Sequence, residues 1–321
     1  MVELDSLVSA KALQNKQMRK QVLIMWANPL NPGDTIGIIS PSHTVTPDDY
    51  AKIISGIEAK GFRVKTGSRL YRHTYGYAGS ETERADDLNE MVSDKDVKLV
   101  LFGGGYGSIE LLPYIDYEAI RRNPKLFSSH SDGTSILNAI YTKTGLVTYY
   151  GLPPRLFEDI DAYAYEQFSS HLVRRDAVHF VSNSTWYSLK DGICSGTLIG
   201  GYTLNFALSL HSGYLETEKD RKYILFLEDH EKFSSVAAVS MYLSHIEQSS
   251  FINQVSGLLF GNYSDTLSQL LLGRLERFGR KHSIPVAYCD DFGHGKNHAI
   301  LPVGCRAVLD TKNKTLRFLP S

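Results

Sequence analysis

An α/β fold, with a parallel-sheet N-terminal domain followed by a smaller C-terminal α/β domain, is predicted by three features of this sequence. Short apolar runs alternate with amphipathic stretches from residue 34 onward, the pattern of strand–helix units that build a parallel sheet covered by helices. Glycines punctuate the ends of those runs, most densely at Gly103, Gly104, Gly105 and Gly107. The length, 321 residues, exceeds what one small core organises and suits two domains.

Residues 1–30 are polar and weakly patterned and read as an extension outside the catalytic core. The first domain is expected over 31–160. It opens with a buried strand at Thr35–Ile39 and an amphipathic helix from Asp48 to Lys60, ended by Gly61. Strands at Phe62–Thr66 and Val97–Phe102 flank a helix at Glu81–Val92. The glycine loop 103–107 then leads into a helix through Leu112. A further strand, from Lys125, enters His130, Ser131, Asp132 and Gly133 and passes directly into a helical pattern. Residues 161–190 are aromatic and polar and read as the crossover between domains. The second domain, 191–321, carries strands at Ile193–Ile199, Tyr223–Leu227, Gly257–Phe260 and Pro285–Tyr288. Helices are expected at about 234–248 and 264–280, and a terminal hairpin over Ala307–Leu319 turns at Asn313.

Composition narrows the function. With 42% hydrophobic and 21% charged residues, the chain has the make-up of a soluble globular protein. A formal charge of −1 and the lack of a basic stripe argue against nucleic acid or an anionic membrane as partner. Cys194, Cys289 and Cys305 are too far apart for a Cys-x-x-Cys pair and suit reduced thiols. Lys16, Arg19 and Lys20 precede an apolar run, Val22–Trp26, that is too short for a signal-peptide core. No stretch approaches the ~20 apolar residues of a spanning helix. A soluble, cytoplasmic protein is expected.

Both the glycine loop and Ser131 fall at carboxyl ends of strands, where parallel sheets hold their sites. A serine on a sharp strand-to-helix turn can act as a nucleophile, and Ser-Asp before a helix is equally an N-cap pattern. The loop at 103–107 lacks both Gly-x-Gly-x-x-Gly, having Ser108 at the third position, and a P-loop Gly-Lys-Ser/Thr. It reads either as a plain tight turn or as a backbone N–H aimed at a developing oxyanion. Glu228 and Asp229 end a buried strand, and either could orient a histidine. His294 stands between Gly293 and Gly295 just past a strand, the setting of an exposed imidazole, with His298 as the alternative base. His43, His73 and His245 read as structural or surface residues. No spacing resembles a metal site such as His-Glu-x-x-His.

In combination, these segments resemble the LD-carboxypeptidases and the related microcin C self-immunity proteins, a group of serine peptidases. The resemblance runs from Pro32–Pro41 to Leu301–Gly304. It includes Glu83–Leu88, Gly104–Gly107, Leu112–Asp116, Asn123–Lys125, Ser131-Asp132, Gly200-Gly201, Leu225–Asp229 and Phe292–His294. It implies a Rossmann-like N-terminal domain and a smaller α/β C-terminal domain, with the site assembled where they meet. Position by position it implies Ser131 as nucleophile, His294 as general base and Glu228 as its orienting partner. The oxyanion hole would use the backbone N–H groups of Gly105 and Asp132, and Gly104, Tyr106 and Tyr202 would contact substrate. No metal or cofactor is implied, and homodimers are common.

The sequence departs from the family pattern at Ser129-His130, usually Gly-Tyr, and at Gly133, usually isoleucine or threonine. Gly103 stands where an arginine often sits, and Tyr202-Thr203 replaces Asn-Leu. A lost arginine removes a bidentate carboxylate donor. The activity implied is release of the terminal D-alanine from muropeptide tetrapeptides. The alternatives are cleavage of aminoacyl- or peptidyl-nucleotide conjugates, with Trp186 as a candidate adenine platform, and a non-catalytic binding protein on the same fold.

Overall fold

A computed structural model describes residues 24–319. The first sheet takes strands β1 (Thr35–Ile39), β2 (Arg63–Thr66), β3 (Val97–Phe102), β4 (Leu126–Ser129) and β5 (Thr148–Tyr150), all paired in parallel. The second takes β6 (Tyr187–Lys190), β7 (Ile193–Tyr202), β8 (Tyr223–Glu228), β9 (Val255–Asn262) and β10 (Val286–Gly293). The chain then returns to the first sheet as β11 (Leu301–Val303), antiparallel to β5, and finishes as the hairpin β12 (Arg306–Asp310) and β13 (Thr315–Leu319). The strand orders are β11-β5-β4-β3-β1-β2 and β13-β12-β7-β8-β9-β10-β6. The α/β architecture is therefore the expected one. The first sheet gains an antiparallel edge from a strand more than 100 positions downstream, and β6, inside the stretch read as a crossover, belongs to the second sheet.

The helices are α1 (Pro47–Ala59), α2 (Glu81–Ser93), α3 (Tyr117–Arg122), α4 (Thr134–Thr144), α5 (Ala162–Phe168), α6 (Thr203–Ser209), α7 (Val236–Gln248) and α8 (Gln269–His282). α1 and α2 start in full capping boxes, Thr46 with Asp49 and Ser80 with Glu83, which satisfy orphan N–H groups and set those boundaries. The helix expected after the glycine loop is a 3-10 segment, Ser108–Tyr114, with Pro113 inside it. The one expected from 264 starts instead at Gln269, where Ser268 accepts a bond from the Leu271 N–H. Residues 24–30 are fastened to the core: Met25 bonds across to Gly145 and Val147, and Ala27 and Leu30 are buried. The rest of the expected N-terminal extension, 1–23, lies outside the described residues.

The contact that places the site runs between α4 and β7. The buried Asn138 amide donates to the Gly200 carbonyl at 2.8 Å and accepts from the Gly200 N–H at 3.2 Å. Four residues earlier, Thr134 Oγ1 accepts from the Tyr202 N–H at 2.8 Å. A Cβ at Gly201 would sit 2.3 Å from Thr134 Oγ1, so glycine alone permits this approach. The helix that follows Ser131 is thus locked, in register, to the strand beside β8.

Asn138→Ala leaves the Gly200 N–H and C=O buried without that partner, at a cost of about 1–3 kcal/mol for each. Thermal unfolding should show a clearly lowered midpoint. A midpoint equal to that of the wild type would show that this contact does not hold the sheets together.

Candidate active site

β4 ends at Ser129, whose hydroxyl bonds the Phe102 carbonyl at 2.7 Å. His130 is extended, and Ser131 then adopts φ +52°, a left-handed conformation that costs a non-glycine residue on the order of 1–3 kcal/mol. The turn closes as the Gly133 N–H donates to the His130 carbonyl at 3.0 Å. A Cβ at Gly133 would lie 2.0 Å from Ser129 Oγ, which explains glycine at this departure from the family pattern. The Asp132 carboxylate anchors the turn, accepting from the Ser108 N–H at 2.8 Å and from Asn205 Nδ2 at 2.8 Å. Burial raises its pKa above the usual carboxylate value.

Glu228 and His294 arrive from the carboxyl edge of the second sheet, at the ends of β8 and β10. Glu228, fully buried, meets His294 Nδ1 with Oε2 at 2.9 Å. A carboxylate can only accept, so Nδ1 carries the proton and Nε2 is left to accept from Ser131 Oγ at 3.1 Å. Burial pulls the His294 pKa down, but the charge and hydrogen bond of Glu228, helped by Asp229, outweigh it and leave the imidazole above its usual 6.5. Asp229 does not reach the imidazole. It accepts from the His230 N–H at 2.8 Å, and burial, followed by the Glu228 charge, raises it to about 7. The imidazole that meets Ser131 is His294; burial holds His298 below its usual value.

Tyr150, on β5, ties the two sheets together at this point. Its hydroxyl donates to Glu228 Oε1 and accepts from the Ser131 N–H at 3.0 Å. One phenol therefore orients the carboxylate that holds the histidine and engages the amide of the serine.

The glycine loop lies against the serine. A Cβ at Gly104 would come within 2.9 Å of Ser131 Cβ, and Gly105 has φ +128°. The Gly104 carbonyl accepts from Ser42 Oγ at 2.9 Å and His43 Nδ1 at 2.6 Å. In a planar trans peptide C=O and N–H point in opposite directions, so the Gly105 N–H is held on the side away from Ser42 and His43. His43 is exposed, as a surface histidine, and also lines the cleft.

The cleft has a volume of about 710 Å³ and is lined by Ser131, His294 and the glycine loop together with Asp48, Lys52 and Arg155, among others. Tyr106 and Phe233 line it while remaining 65% and 53% exposed, and so present open aromatic faces. Tyr202 also lines it but is only 4% exposed, with its ring against His294 at 5.4 Å. Trp186 is not a platform: it is buried, packs on Phe180, and bonds Asp291 Oδ2 through Nε1 at 2.8 Å. Tyr150, Ser42 and His43 were missed by the sequence reading. Ser42 and His43 follow the carboxyl end of β1, so the strand-end rule could have pointed to them; nothing distinguishes Tyr150 from Tyr149 before folding.

Among the described residues no group of three His, Cys, Asp or Glu side chains is placed to hold a metal ion, and no helix is long and apolar enough to cross a membrane. Comparison with known proteins adds four findings. Models of the LD-carboxypeptidase N-terminal and C-terminal domains match residues 36–151 and 195–309. The chain is similar to the "Probable murein peptide carboxypeptidase" of Bacillus subtilis, 29% identical over 89% of this chain and 92% of that one. It superposes on the solved structure of the microcin C7 self-immunity protein MccF with aspartyl sulfamoyl adenosine, with TM-score 0.80, 27% identity, and 92% and 99% of the two chains covered. It also superposes on a muramoyltetrapeptide carboxypeptidase from Oxalobacter formigenes, with TM-score 0.74, 26% identity, and 88% and 97% covered.

Glu228→Gln removes the charge that outweighs burial at His294. The His294 pKa, followed by NMR of its ring protons, should drop below 6.5. A value unchanged from the wild type would assign the shift to another group.

Proposed function

Because the chain belongs to the LD-carboxypeptidase family, we propose that it is a serine peptidase that hydrolyses the terminal L,D-amide of muropeptide tetrapeptides and releases D-alanine. The observation that carries this is the continuous chain from Ser131 Oγ through His294 to Glu228, at 3.1 Å and 2.9 Å, starting from a strained turn in an open cleft. Ser131 Oγ attacks the scissile carbonyl as His294 Nε2 takes its proton, and Glu228 fixes the tautomer and stabilises the imidazolium. The tetrahedral oxyanion is held by the N–H groups of Gly105 and Asp132; the Ser131 N–H is engaged by Tyr150 and is not available for this. Each such donor typically lowers the barrier by ~3 kcal/mol. His294 returns the proton to the departing D-alanine nitrogen, and a water activated by the same imidazole hydrolyses the acyl-enzyme. Lys52 and Arg155 are the cationic groups among the described residues of the cleft wall, and they offer partners for substrate carboxylates. The reading includes a homodimer acting in the cytoplasm.

A second substrate class, aminoacyl- or peptidyl-nucleotide conjugates, is favoured by one observation. Tyr106 and Phe233 present exposed rings beside the serine on which a base could stack, and a structural neighbour was solved with aspartyl sulfamoyl adenosine. The chemistry at Ser131 is the same for both.

The deciding experiment is D-alanine release from a purified muropeptide tetrapeptide, with Ser131→Ala as control. Wild type should release it, and the folded variant should lose at least about a thousandfold in rate. Release from an aspartyl-nucleotide conjugate alone would favour the second class. Turnover of neither, with both proteins folded, would leave a binding protein on this fold.

The pH dependence follows from His294, which must be neutral to accept the serine proton. Since its pKa lies above 6.5, kcat/KM should be low in acid and rise through a limb centred above that value. A limb centred below 6.5 would contradict the assignment of His294 as base.

A further inference from the structure

A second cavity, of about 270 Å³, is lined by Trp26, Tyr149, His171, Arg175, Cys305 and Phe318, with smaller contributions from neighbouring residues. None of them lines the cleft. Tyr149 and Tyr150 are adjacent on β5, so their side chains leave opposite faces of the first sheet, and this cavity lies behind the face that Tyr150 turns to Glu228.

Its walls are aromatic and carry one charge. After α5 the chain forms a π turn, Ser169–Val173, and Arg175 follows in a left-handed conformation, φ +56°. The Arg175 guanidinium packs over the Trp26 ring at 4.9 Å, and its Nη2, shielded from solvent, has no hydrogen-bond partner. The adjacent acid does not serve it, because Asp176 bonds Arg174 Nε at 2.9 Å. His171 is driven down to about 3 by burial, Cys305 is raised to about 12 by burial, and Tyr149 is raised to about 12 by burial against the charge and hydrogen bond of Arg175, so all three are neutral near pH 7. Arg175 is thus the single charged group among the described lining residues. Beyond Tyr149 the guanidinium keeps unused donor capacity inside apolar walls, and an anion is the partner that would take it up.

We propose that this cavity is a second ligand site, taking a small monocarboxylate with a flat apolar body. The carboxylate pairs with Arg175, and the body lies against Trp26, Tyr149 and Phe318. One cation in apolar walls matches one negative charge; a dianion would bring a charge the walls cannot compensate. The proposal is independent of the chemistry assigned to Ser131.

Calorimetric titration of the full chain with benzoate tests it, with benzamide as the uncharged isostere. Benzoate should bind saturably at one site, and benzamide at least tenfold more weakly. Arg175→Asn removes the charge while tolerating the left-handed backbone, and should weaken benzoate at least tenfold. If that variant misfolds, Ala177→Leu, which fills part of the cavity, should weaken it instead. Ser131→Ala should bind as the wild type does. Absence of saturable binding, equal binding of benzamide, unchanged affinity in the folded cavity variants, or loss of binding in Ser131→Ala would each overturn the proposal.

Discussion

The two-way hydrogen bond between the Asn138 amide and the Gly200 backbone is the constraint on which the rest of this site depends. Ser131 belongs to one sheet, while Glu228 and His294 belong to the other. A proton can pass between Ser131 and His294 only if the sheets are fixed to within a few tenths of an ångström. Asn138 and Thr134 achieve this because they sit on the helix that begins just after the serine. Any slip of α4 along β7 would move Ser131 relative to His294. The return of β11 to the edge of β5 adds a covalent path in the same sense, since His294 and β11 are only a few residues apart.

Upon that frame, Tyr150 couples geometry to electrostatics. Its hydroxyl touches the serine amide and the glutamate carboxylate at once, so the strained turn and the orienting acid share one support. Glu228 is fully buried, and a buried carboxylate is tolerated only when its oxygens are well bonded. Here one oxygen takes the phenol and the other the imidazole, which is why the histidine rises despite its own burial. Asp229, next in sequence, has one oxygen without a partner and is pushed towards its neutral form. Glu228 is the last residue of β8 and Asp229 lies just past it, so the two acids meet different partners.

Departures from the family pattern acquire physical reasons here. Gly133 is demanded by the Ser129 hydroxyl beneath it, and that hydroxyl in turn caps the end of β3. Tyr202 packs its ring against His294, walling the imidazole rather than offering an open surface. The more exposed rings of the cleft are those of Tyr106 and Phe233, although Phe233 also packs against His294 at 5.0 Å.

The sequence by itself determined the strand–helix order, the glycine loop, and Ser131, Glu228 and His294 as the residues to watch. Those signals are local: apolar periodicity, glycine at strand ends, and short motifs in a fixed order. Local pattern alone left open which of two adjacent acids or two nearby histidines would meet, and only the family resemblance selected Glu228 and His294. Nor did the sequence reveal Tyr150, Ser42 and His43, whose importance comes from partners 61 to 78 positions away. Tertiary structure alone decided these, because a hydrogen bond between distant segments depends on how the sheets dock, and docking is set by long-range packing that no local pattern encodes.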